Sequence, residues 1–213
     1  MSFVDTLRGK IFYFRLFFVI ISWTGIIFRF IVAIDIGELI LEPLKFFTIQ
    51  TNLFVATWLT LSILYKDGLD GGNSEKMDKL YGFIKGAVTS FITLTWIAFH
   101  ILLSATASYS SDIHEYSSII NHYIIPIYFI LDWLITERKS YAKSFPLKSL
   151  AYPLCYLGFA LIYQLVTKDP IYGFLSIKEN GYRGFFTMGI ALNILFAIFC
   201  YIYLGLNKLI VKK

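Results

Sequence analysis

Six long apolar runs, separated by short polar stretches, organise this chain: residues 11–34, 44–65, 80–104, 118–135, 147–167 and 184–206. A helix that crosses a bilayer needs about 20 mostly apolar residues, and each run meets that length. The pattern therefore predicts an all-α fold, a polytopic membrane protein built as a bundle of six transmembrane helices, with residues 1–213 forming a single integral membrane domain. The first run follows Arg8 and Lys10, but it is too long for a signal-peptide core and lacks a small-residue cleavage pattern, so it is read as a span. Pro126 lies inside the fourth run and predicts a bend, because proline removes a backbone donor and clashes with the preceding turn. Pro153 falls in the first turns of the fifth. The segment 66–79 contains GLDGGNSEKMDK, whose glycines, asparagine and charges predict a water-exposed loop.

Composition changes the picture only by fixing the solvent. Hydrophobic residues make up 57% of the chain and charged ones 15%, against about 25% charged in a soluble domain. Aromatics reach 19%, which suits side chains that sit between lipid tails and headgroups. The net charge is +5, yet the basic residues fall in the connections, where the positive-inside effect places them, so nucleic acid is not expected as a partner.

Their distribution orients the chain. Arg8, Lys10, Arg15, Lys66, Lys76, Lys79, Arg138, Lys139, Lys143, Lys148, Lys208, Lys212 and Lys213 gather on one side, and Lys45, Lys168, Lys178 and Arg183 on the other. The richer side is expected to be cytoplasmic, with both termini on it. Cys155 and Cys200 lie in apolar runs without ligand spacing and read as small hydrophobes.

With that orientation, the polar residues inside spans converge on the outer half: Arg29, Thr48, Gln50, Thr51, Asn52, His100, His122 and Arg183. Such groups are costly in hydrocarbon and usually face the bundle interior or a wet cavity. Thr48, Thr51 and Asn52 are spaced i, i+3 and i+4, which puts them on one helix face. The competing reading is that they glue helices together or bond back to their own backbone. His122, four residues before Pro126, has the chemistry of a general base near the membrane surface, or of an interfacial histidine with a water partner. Asp132 lies about 15 Å further along the same helix, too far to orient His122, and is expected to pair with a cytoplasmic-side Lys or Arg. Trp133 is expected to anchor the interface. His100, His114 and His122, with Asp112 or Glu115, raise a metal reading, but no HxxxH or HExxH spacing supports it. No metal or other cofactor is expected.

The segments FFTIQTNL, NHYIIPIYFILDW, DPIYGF and NGYRGFF resemble bacterial members of the androgen-induced membrane hydrolase superfamily, whose animal members hydrolyse fatty acid esters of hydroxy fatty acids. The resemblance covers most of the chain and implies residence in a bacterial cytoplasmic membrane. It also implies a threonine nucleophile ahead of an Asn-Leu pair, here Thr48 before Asn52 and Leu53 with Thr51 as the alternative, and a histidine base ahead of a proline, here His122 before Pro126. Asn52, Gln50 or Arg29 would then stabilise an oxyanion or hold a carboxylate.

Two functional readings follow, beside a packing-only one. The first is an intramembrane lipid-ester hydrolase using Thr48 and His122, with Arg29, Gln50, Thr51, Asn52, His100 and Arg183 around its substrate. The second is a binding or transport protein for a small anionic amphiphile, with Arg29 and Arg183 as charge partners. The partners expected are membrane lipids and a lipid-like small-molecule substrate; no oligomeric state is read from the sequence.

Overall fold

The computed structural model describes residues 3–64 and 75–211, with side chains from residue 9 and, after the gap, from residue 79. Among them the chain is helical throughout, with no strand: α1 (Phe3–Asp35), α2 (Phe47–Leu64), α3 (Glu75–Leu102), α4 (Asp112–Ile119), α5 (Ile125–Thr136), α6 (Phe145–Ser149), α7 (Ala151–Thr167) and α8 (Ile177–Val211). α4 and α5 are joined without a break by a π-turn, Ile120–Ile124, and α6 runs almost directly into α7. Six helical segments are long and apolar enough to cross a membrane, as the hydrophobic pattern predicts.

The spans differ in burial. In α3 the most apolar window is 72% buried, against 22–44% in the other five, so α3 is the central helix, packed against α2, α5 and α8. Its inward positions carry Thr89, Ser90, Thr93 and Thr95, whose hydroxyls donate to carbonyls of the preceding turn. Small residues of this kind let helices approach in lipid without leaving a polar group unmet. The outer helices instead turn apolar side chains outward, among them Phe17, Ile20, Ile162, Val166, Ile190 and Ile194. In water such a surface would drive aggregation; in lipid it is solvated.

Several boundaries differ from the apolar runs. The fourth span starts at Asp112 rather than 118, because Ser111 caps α4 by accepting from the His114 N–H, and a good cap lets a polar stretch begin a helix. Leu44 and Lys45 belong to a 3₁₀ turn, Glu42–Lys45, opened by Pro43, so α2 starts only at Phe47. The sixth span begins at Ile177 and breaks at Gly181, whose φ of 65° is a left-handed conformation open to glycine. Of the loop expected at 66–79, residues 66–74 lie outside the described residues, and from Glu75 the chain is already helical.

At one end of the bundle Asp132 accepts from Arg15 Nε at 2.8 Å and lies 3.1 Å from Lys85 Nζ. All three are at least nine-tenths buried, and the Trp58 ring lies beside both cations, about 5 Å away. α1, α3 and α5 are thus tied by one shared carboxylate, the Lys or Arg pairing expected for Asp132. Trp133, expected at the interface, is instead fully buried, its Nε1 donating to Tyr141 Oη at 2.6 Å. A neighbouring hydroxyl within the bundle satisfies the indole better than headgroups beyond it.

Removing one partner of a buried ion cluster leaves the others with less compensation. Asp132→Ala is expected to cost about 3–5 kcal/mol in unfolding free energy, read from unfolding in detergent micelles; a loss below about 1 kcal/mol would mean that water reaches Arg15 and Lys85.

Candidate active site

At the opposite end, Thr48 in the first turn of α2 meets His122 in the π-turn: Thr48 Oγ1 is 3.2 Å from His122 Nε2. The π-turn follows from the sequence. Pro126 has no N–H for the preceding turn, and the ladder widens so that the Ile125 N–H bonds to the Ile120 carbonyl, five residues back. Such a bulge re-aims the side chains within it and is frequent at functional sites. The bend predicted from Pro126 is therefore a widened turn that carries the histidine.

Contacts with Phe99 and Ser118 set the imidazole. Its face stacks on Phe99, with ring centroids 3.7 Å apart and planes 16° from parallel. Its Nδ1 lies 3.0 Å from the Ser118 carbonyl oxygen and 3.2 Å from the Ser118 hydroxyl; the nearer carbonyl can only accept and the hydroxyl can accept as well, which favours the proton on Nδ1 and the lone pair on Nε2. Nε2 is then an acceptor for the Thr48 hydroxyl, the arrangement a general base requires.

The Thr48 backbone is held just as closely. Asn52 Nδ2 donates both to the Thr48 carbonyl and to the Asn121 carbonyl, each at 2.9 Å, clasping α2 to the π-turn. Asn121 in turn donates to the Gly25 carbonyl on α1 at 2.9 Å. The helices cross so tightly there that a Cβ at Gly25 would meet Ile120 Cγ2 at 2.4 Å, which no side chain tolerates. Ahead of Thr48, the 3₁₀ turn is pinned by tyrosines of α7: Tyr156 donates to the Lys45 carbonyl at 2.7 Å and Tyr163 to Glu42 at 2.8 Å. Hydrogen bonds from Lys45 and Tyr163 hold the Glu42 carboxyl below its usual range. The Phe47 N–H, unpaired within the helix, donates to the hydroxyls of Tyr156 at 3.1 Å and Tyr172 at 3.0 Å.

Thr48 lies on the wall between two cavities. One, with about 640 Å³ of empty space counting its mouth, is apolar, lined by Phe47, Leu94, Ala98, Leu157 and Leu192 among others. The other, with about 1140 Å³ counted in the same way, is the more polar of the two, lined by Arg29, Glu38, His114, Asn121 and His122 among others. Thr48, Phe99, Leu103 and Tyr172 line both. In the polar cavity Arg29 pairs with Glu38 at 3.0 Å through Nη2, while its buried Nη1 has no hydrogen-bond partner.

The remaining residues picked from the sequence are not brought to this point. Thr51 Oγ1 contacts Thr95 Oγ1 at 2.9 Å and donates to the Thr48 carbonyl, tying α2 to α3; it lines neither cavity. Gln50 Nε2 donates to the Leu44 carbonyl at 2.7 Å and its Oε1 accepts from Tyr152. Asn52 lines neither cavity, its amide being taken by the Thr48 and Asn121 carbonyls. His100 and Arg183 are exposed and line neither. His114 and His122 line the same cavity, but among the described residues no group of three or more His, Cys, Asp or Glu is placed to hold a metal.

The tyrosines were missed by reading the spans for charged and amide side chains. Their signal was present: Tyr152, Tyr156 and Tyr163 recur on one helical face at i, i+4 and i+11, and Tyr172 follows in DPIYGF.

Compared with protein-family models, curated proteins and solved structures, the chain matches none of them.

The tautomer is directly measurable. In ¹⁵N NMR of histidine-labelled protein in micelles, His122 is expected to show a protonated Nδ1 and an unprotonated Nε2, with the Nε2 resonance moving in Thr48→Val; a protonated Nε2 would remove the base from the site.

Proposed function

We propose that this protein is an intramembrane lipid-ester hydrolase in which Thr48 is the nucleophile and His122 its base. The observation that carries the reading is the 3.2 Å Thr48–His122 contact on a wall shared by an apolar and a polar cavity. A lipid ester has that two-sided chemistry: an acyl chain for the apolar cavity, and a polar or anionic remainder for the one holding Arg29.

The chemistry proceeds in two halves. The Thr48 oxygen attacks the ester carbonyl carbon as its proton passes to His122 Nε2. The tetrahedral oxyanion collapses, the C–O bond to the alcohol breaks, and the alcohol leaves with the proton from His122. Water then adds to the acyl-threonine, again losing its proton to His122, and release of the fatty acid restores the Thr48 hydroxyl. The Ser118 carbonyl has the role that a third residue has in other triads: it fixes the imidazole and favours the charged form that appears transiently. All of this needs a water-poor but polar pocket, which a span end supplies. No cofactor enters the reading.

The same reading orients the protein. The Lys- and Arg-rich side would be cytoplasmic with both termini, setting the site near the outer leaflet of a bacterial cytoplasmic membrane, in keeping with the resemblance of the FFTIQTNL and NHYIIPIYFILDW segments to the androgen-induced membrane hydrolases. A reporter fused at the C-terminus is expected to be active only in the cytoplasm; activity outside would invert the assignment.

An alkyl fluorophosphonate is expected to label Thr48, as read by mass spectrometry. Thr48→Ala and His122→Ala are each expected to lower kcat on a long-chain ester by about 10⁴-fold or more, while Thr51→Val retains labelling. Below the His122 titration, kcat/KM should fall about tenfold per pH unit, since a protonated imidazole accepts nothing. A folded Thr48→Ala protein with wild-type turnover would end the hydrolase reading; amphiphile binding that survives in Thr48→Ala and is lost in Arg29→Ala would favour a binding or transport protein.

A further inference from the structure

A nucleophile and a base leave one requirement of ester hydrolysis open: a donor for the carbonyl oxygen as it becomes negative. The amides of Gln50 and Asn52 donate elsewhere, to the carbonyls of Leu44, Thr48 and Asn121. Arg29 lines only the polar cavity, whereas the reacting bond must lie at Thr48, where the two cavities meet.

Tyr172 lies at that meeting point. It comes from the segment 168–176 between α7 and α8, which turns sharply where Lys168 adopts a left-handed φ of 67°. Its ring is fixed by stacking on Phe174, with centroids 5.1 Å apart and planes 9° from parallel, and by an edge contact with Phe46. Its hydroxyl oxygen accepts the Phe47 N–H at 3.0 Å, one residue before Thr48.

Proton accounting separates it from its neighbour. Tyr156 accepts from the same N–H, but its own proton goes to the Lys45 carbonyl at 2.7 Å. Among the described residues the Tyr172 hydroxyl accepts from the Phe47 N–H and donates to no carbonyl, which leaves its proton for the cavities that it lines. Burial pushes the Tyr172 phenol above its usual range, so it stays a donor. The N–H feeding its oxygen, at the positive end of α2, polarises the O–H further.

We propose that Tyr172 is a catalytic residue whose hydroxyl donates a hydrogen bond to the ester carbonyl oxygen as Thr48 attacks. This rests on the hydrolase reading. In the resting site the Tyr172 hydroxyl sits against the first turn of α2, beside Thr48 on the wall that both cavities share. When the Thr48 oxygen bonds to the carbonyl carbon, the π electron pair moves to the carbonyl oxygen and the phenol turns to it. The phenol keeps its proton, and the hydrogen bond loosens when the carbonyl re-forms.

The test uses the full chain in micelles with p-nitrophenyl decanoate and an alkyl fluorophosphonate. Tyr172→Phe is expected to lower kcat by about 10²–10³-fold, with KM little changed, slower labelling of Thr48 and the acid limb of the pH profile in place. Tyr201→Phe, which loses an exposed phenol on α8 that lines neither cavity, is expected to keep the wild-type kcat. Should Tyr172→Phe fold poorly, 3,5-difluorotyrosine at position 172 retains the ring and the hydroxyl. A donor role then moves the alkaline limb of kcat to lower pH, because an ionised phenol cannot donate, whereas a purely structural role leaves that limb unmoved. Wild-type kcat in folded Tyr172→Phe, alongside an inactive Thr48→Ala, would overturn the role of Tyr172 and leave the hydrolase reading standing. Wild type that neither hydrolyses the ester nor takes the label would remove both.

Discussion

Hydrocarbon offers no hydrogen bonds, so every polar group carried into a membrane span must find its partner within the protein. In this chain that constraint gathers the polar side chains into two layers. At one end the Asp132 carboxylate is shared by Arg15 and Lys85 and draws three helices together. At the other, neutral groups interlock: Asn121 on the Gly25 carbonyl, Asn52 on the Asn121 and Thr48 carbonyls, Thr48 on His122, and His122 on the Ser118 carbonyl. Between the layers Val55, Leu59, Ile92, Ile125 and Phe129 are buried together, beside the α3 hydroxyls of Thr89, Ser90 and Thr93, which bond back to their own helix.

The two layers differ in what they leave free. The charged one consumes its capacity in mutual pairing. The neutral one is asymmetric, because a chain of donors and acceptors that starts at a backbone carbonyl must end on a group with something left over. Here Nδ1 meets a carbonyl, so Nε2 keeps a lone pair for the threonine. Pro126 produces this outcome indirectly: by deleting one backbone donor it widens the turn that carries His122. A residue with no reactive atoms therefore aims the most reactive one.

The site also draws on a part of the fold that has no charge to advertise it. The start of α2 leaves backbone N–H groups without helical partners, and tyrosines from α7 and from the segment after it close around them. Phenols suit this position: their rings pack against lipid-facing helices while their hydroxyls answer the backbone. The result is a fixed first turn for Thr48, which a hydroxyl nucleophile needs if its approach to a carbonyl is to be reproducible.

What the sequence determined by itself was the number of spans and the depth of residues along each, though not every helix boundary. Run length and polarity specified six spans, Pro126 specified a disturbance in the fourth, and the depth of Thr48 and His122 along their helices followed from residue number. Asp132 could be separated from His122 by helical rise alone. Azimuth was not legible, because periodicity places Thr48, Thr51 and Asn52 on one face without saying which neighbour each meets. Only tertiary packing sent Thr51 to Thr95, Asn52 to the π-turn and Thr48 to His122, left His100 and Arg183 outside, and folded the segment bearing Tyr172 over the first turn of α2. These are choices among partners separated by tens of residues, made by close helix crossings such as that at Gly25, and no local spacing encodes them.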